Sequence, residues 1–110
     1  MITELENEAM EVISYVIRLY EEKAAERTPI DYKMSELYPE EHCAIKDASR
    51  ILLRSKLKEA RLFGRAVLEF ISAIEAMEKN LSRHNARRMQ RATKSASTAS
   101  ERYHRKLGGN

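Results

Sequence analysis

Apolar residues in the first quarter of the chain recur at helical spacing. Leu5, Ala9, Val12, Val16 and Leu19 form one stripe at steps of four and three, and Met10, Ile13, Ile17, Tyr20 and Ala24 form a second beside it. Together they cover roughly half of a helix circumference, wider than the seam of a two-stranded coiled coil, so this helix should touch at least two neighbours. Glu4, Glu8, Glu11, Arg18 and Glu22 fall on the opposite face. Thr3 with Glu6 three residues on has the form of a capping box, in which hydroxyl and carboxylate satisfy each other's otherwise orphaned amides. The pattern ends at "ERTP", where Pro29 biases Thr28 away from helix, so the spacing predicts a first helix over 3–27.

The following segment, "TPIDYKMSELYP", is about a dozen residues and long for a link between helices. Ile30, Tyr32, Met34, Leu37 and Tyr38 are too apolar for a floppy linker, which predicts a loop folded over one end of a bundle, with a helical turn around "SELY". Pro39, Glu40 and Glu41 suit a second helix start: proline fits the first helical position and carboxylates the positive end of the dipole.

From Pro39 to about residue 92 there is no further proline and no turn dipeptide. Gly64 in "RLFGRAV" is the one break candidate, and without a capping residue after it a helix that runs through or bends there is favoured. Beyond it, Val67, Ile71, Ile74 and Leu81, with Phe63, Phe70 and Met77 at intervals of seven, form an apolar face that needs cover. At 1.5 Å per residue the first helix is about 37 Å long and matches only residues 39–64. These patterns predict an all-α fold: a bundle of an N-terminal helix and a long C-terminal helix, straight or bent at Gly64, paired with its copy as a homodimer. A three-helix bundle folded back at Gly64 is the alternative. After Gln90 the periodicity stops, and "ATKSASTAS" and "LGGN" are polar, so residues 1–92 are expected to form the bundle and 93–110 a polar basic tail outside the core.

Composition adds bounds. Three Gly, two Pro and 34% charged residues suit helices. The lone Cys43 cannot form an internal disulfide, and no apolar run approaches the roughly 18 residues of a membrane span. The acidic opening "MITELENEAM" lacks the basic region of a signal peptide, so a cytoplasmic location with no membrane partner is expected. Charge is unevenly spread: net −7 over residues 1–44, +2 over 45–78 and +8 over 79–110.

Catalytic patterns are missing. The chain has no glycine-rich phosphate loop, no His-Glu-x-x-His, no Cys-x-x-Cys and no serine elbow motif, so a non-enzymatic protein without cofactor or metal is expected. Glu101 and His104 share a metal-like spacing but lie in the polar tail, and adjacent His42 and Cys43 point about 100° apart on a helix, favouring an ordinary first-turn histidine and a packed cysteine. The five tyrosines form no stacking array.

"NLSRHNARRMQRATK" places Arg83, Arg87 and Arg91 at spacing four with Arg88 and Lys94 beside them and no acid among them. Like charges at that spacing oppose helix formation unless something offsets them. A helix C-terminal dipole, the acidic first helix and nucleic-acid phosphates are the available offsets. The sequence therefore predicts binding of an anionic partner, nucleic acid first, through Arg83, Arg87, Arg88, Arg91 and Lys94. A protein-binding adaptor or inhibitor acting through the bundle surface and the acidic first helix is the alternative.

Overall fold

The computed structural model describes residues 3–25 and 34–108. Among them the chain is all-helical: α1 Glu4–Ala25, α2 Met34–Leu37, α3 Pro39–Leu53, α4 Lys58–Lys79 and α5 Arg83–Leu107. The capping box is formed, since the Thr3 amide donates to Glu6 Oε2 at 2.9 Å and the Glu6 amide donates to Thr3 Oγ1 at 3.1 Å. Pro39 occupies the first turn of α3 as its fixed φ favours. The turn expected around "SELY" is α2. It is pinned to the end of α4 by Glu78, which accepts from the Ser35 amide at 3.2 Å and hydroxyl at 2.8 Å. Ile30 and Tyr32, with the rest of 26–33, lie outside the described residues.

The long helix expected from Pro39 to residue 92 is instead three helices, and neither break is at Gly64. The first falls at 54–57, where a serine makes the turn that no Gly or Pro announces. The Ser55 hydroxyl accepts from the Leu57 amide at 3.1 Å, and its carbonyl accepts from the Arg61 guanidinium at 2.8 Å, so the side chain competes locally with the helical ladder. The second falls at 80–82. Ser82 caps α5 by accepting from the Asn85 amide at 3.1 Å, while the Asn85 side-chain amide donates to the carbonyls of Asn80 at 2.7 Å and Ala76 at 3.2 Å.

These turns fold α3, α4 and α5 back and forth. His42 near the start of α3 meets Glu75 near the end of α4, and Phe63 early in α4 lies 5.8 Å, ring to ring, from Tyr103 late in α5. Tyr20 near the end of α1 meets His42, so α1 and α3 are antiparallel as well. The core gathers Ile13 and Val16 of α1, Ile45 and Leu52 of α3, Val67 and Ile71 of α4, and Tyr103 of α5.

Several expectations are corrected by this packing. The apolar face of Phe63, Val67, Ile71 and Ile74, expected to be covered by a second copy, is covered within the chain. Leu81 and Leu5, counted with the apolar stripes, are exposed: Leu81 sits in the α4–α5 turn and Leu5 in the first turn of α1. Residues 93–107, expected outside the core, continue α5, with Ala96 and Tyr103 buried. The small side chains of "ATKSASTAS" permit this, because alanine and serine leave the helix backbone free to lie close to α4.

Candidate functional site

The basic run forms one face of α5. At 3.6 residues per turn Arg83, Arg87, Arg91 and Lys94 fall within about a quarter of the circumference, Arg105 falls among them and Arg102 at their edge. Ala92, Ala96 and Tyr103 are buried on the opposite side. All six cations are exposed, and among the described residues none of them makes an ion pair. Among the described residues no carboxylate of α1 or of another helix pairs with them.

The helix start sharpens the point. Arg83 is the first residue of α5 and Arg87 lies one turn on, at the end where the backbone dipole is positive and cations are disfavoured. The C-terminal dipole can account for His104, Arg105 and Lys106 in the last turn, but not for the start of the stripe. Glu101 is the only acid in the helix.

Arg88 departs from the predicted set. It turns to α4, where Nε donates to Glu69 Oε1 at 3.0 Å and an Nη to the Ser72 hydroxyl at 2.9 Å. This places Arg88 in the helix–helix contact and leaves Arg83, Arg87, Arg91 and Lys94 on the open face. Beside Arg88 a groove of about 670 Å³ runs between α4 and α5. Arg65 lines it from α4 and Arg91, Lys94 and Arg102 from α5, with Leu62 also in the lining. Glu59 and Glu69 also line it, the latter occupied by Arg88. Arg65 and Arg102 were not legible as members, because only the α4–α5 hairpin brings residue 65 opposite residue 102.

A second polar cluster lies at the other end of the bundle. His42 is buried, with Nδ1 2.8 Å from the Tyr20 hydroxyl and Nε2 2.9 Å from Glu75 Oε2. Lys46 Nζ stands 2.6 Å from the same carboxylate oxygen. Hydrogen bonds from Lys46 and then His42 hold the Glu75 carboxyl below its ordinary value, against the opposing effect of burial. With the imidazole neutral, Nε2–H donates to Glu75 and Nδ1 accepts from Tyr20. Burial first, then the carboxylates of Glu78, Glu41 and Glu75, push the Tyr20 phenol well above its ordinary range, so its oxygen is a hydrogen-bond donor and not a nucleophile. This chain ties α1, α3 and α4 together. The expected first-turn histidine is therefore a buried tie, and Cys43 beside it is exposed, not packed.

Glu101 and His104 build nothing together: His104 Nδ1 lies 2.7 Å from the Ser100 carbonyl. Among the described residues no group of three or more His, Cys, Asp or Glu side chains converges as a metal site would require, and no helix is long and apolar enough to cross a membrane. No protein-family model matches the chain, and neither a curated protein nor a solved structure matches it.

Proposed function

We propose that this protein binds nucleic acid through the basic face of α5 and acts by binding, not by catalysis. The observation that carries the reading is the stripe of Arg83, Arg87, Arg91 and Lys94: exposed, without ion pairs among the described residues, and starting at the helix end where cations are disfavoured. A fold that tolerates such an arrangement gains from it when an external polyanion supplies the missing charge, and arginine's planar fork suits phosphate oxygens. The face is complete within one chain, so the reading requires no homodimer. It accords with a cytoplasmic location.

The test is titration of the whole protein against labelled DNA and RNA oligonucleotides over a range of salt. The four cations of the stripe predict a slope of log affinity against log salt at least as steep as about −3.6 on duplex DNA. Absence of binding at low salt, where counterion release contributes most, overturns the reading and returns the stripe to an acidic protein partner.

A further inference from the structure

The basic face sets the sign of the partner's charge, and the groove beside it carries information about the partner's form. We propose that the partner is a double-stranded backbone bound without regard to base sequence, and that Arg65 of α4 and Arg102 of α5 complete the contact begun by Arg91 and Lys94. This inference rests on the nucleic-acid reading and deepens it.

Three observations support it. Cations reach the groove from two helices, with the hydroxyls of Ser95 and Thr98 between them, a set of donors suited to phosphate oxygens, and no Asn or Gln stands in the lining to read an adenine edge. The exposed face of α5 offers no platform of rings: Tyr103, its only tyrosine, is buried against Phe63, and the two imidazoles, His84 and His104, stand at opposite ends of the helix. Tyr15, the one large exposed aromatic among the described residues, lines a separate groove between α1 and α5. Single strands are held by successive bases stacking on such rings, so this face lacks what they need. The stripe from Arg83 to Arg105 also runs along a single helix and is about 33 Å long at 1.5 Å per residue, close to the roughly 34–36 Å of one duplex turn. A rigid line of charge matches a stiff polyanion carrying one charge per about 1.7 Å better than a flexible chain of lower charge density. Glu59 opposes this locally, but four arginine or lysine side chains stand against it in the same groove.

The experiment measures fluorescence anisotropy of the full chain with a duplex of about 20 base pairs, with either of its separated strands, and with a duplex of unrelated sequence. The expected result is duplex binding about tenfold tighter than single-strand binding at low salt, near-equal affinity for the two duplexes, and a duplex salt slope made shallower by about 1.8 in the R65Q/R102Q double variant. Circular dichroism should be unchanged, because both arginines are exposed and glutamine is a comparable helix former. Equal or tighter binding to single strands, strong preference for one duplex, or an unchanged slope in the variant overturns the inference while leaving the nucleic-acid reading standing. No binding to any of the probes overturns both.

Discussion

Gly64 of α4 faces the carbonyl oxygen of Ser49 in α3 so closely that a Cβ at residue 64 would stand 2.7 Å from it and 3.0 Å from the Leu52 Cβ. The glycine is there for the approach of two helices and not for a turn. Ser49 is held in turn, buried, with its hydroxyl donating to the Ile45 carbonyl at 2.8 Å.

Gly64→Ala should therefore destabilise the fold. Helix propensity alone would favour alanine by about 1 kcal/mol, whereas forcing a methyl against a fixed backbone costs about 1–3 kcal/mol of overpacking. Here the obstacle is a carbonyl in a neighbouring helix, which cannot swing aside, so a net loss of about 1 kcal/mol or more is expected in urea unfolding. A gain in stability would show that α3 and α4 separate at little cost.

Tyr103 tests whether the last third of the chain belongs to the core. Truncation to alanine should cost about 3–5 kcal/mol, as for other large buried side chains. Tyr103→Phe is the contrasting variant. The hydroxyl is buried with no hydrogen-bond partner among the described residues, and burial, then the Glu6 carboxylate, push its pKa up to about 12. Losing that oxygen should leave stability unchanged or raise it by about 1 kcal/mol. Thermal denaturation of both variants decides; a mild alanine variant would mean that α5 contributes little to the fold beyond residue 92.

What the sequence made legible follows from the range of each signal. The Thr3–Glu6 box, the Pro39 start and the apolar stripe of α1 from Ala9 to Tyr20 are local patterns, and each appears in the structure where the spacing puts it, Leu5 in the first turn excepted. The breaks at Ser55 and Ser82 were hidden because serine caps and serine turns share their residue type with solvated helix positions; only their bonds to Leu57 and Asn85 distinguish them. Tyr103 was hidden for another reason. Its neighbours along α5 are small or charged, so no stripe of large residues announces a core face, and the partner that buries it, Phe63, is forty residues away. The basic face was legible as charge, but Arg88 could not be told from Arg87, since which of two adjacent arginines meets Glu69 depends on the rotation of α5 against α4.

The cluster of Glu75, Lys46 and His42 sets a pH dependence. Glu75's folded pKa lies below its ordinary 4.5, so the folded state takes up this proton later than the unfolded state as pH falls. The resulting stability is present above the unfolded value and is lost as pH drops through the folded one. The stability difference between wild type and Glu75→Gln should then be constant from about pH 7 to about pH 6 and shrink below about pH 4.5. Urea midpoints across that range give the answer. A difference that stays the same at about pH 3 would assign the contribution of Glu75 to packing and not to charge.

The adjacent arginines at 87 and 88 should separate in a paired experiment. Arg88 bonds to Glu69 and Ser72 and is half-buried, so Arg88→Gln should lower stability by up to about 1 kcal/mol, the range of a partly exposed ion pair. It should leave the salt slope of duplex binding unchanged, because its guanidinium is already committed to α4. Changing Arg87 and Arg91 together to Gln should do the reverse. Each faces solvent without an ion pair among the described residues, so the slope should become shallower by about 1.8. Stability should hold or rise by a few tenths of a kcal/mol, since a pair of like charges four residues apart is removed from α5. Affinity on unrelated duplexes should fall by similar factors, as expected of contacts that position a protein without reading bases. If Arg88→Gln instead flattens the slope as much as the double change, the Arg88–Glu69 pair opens on binding and Arg88 joins the contact surface.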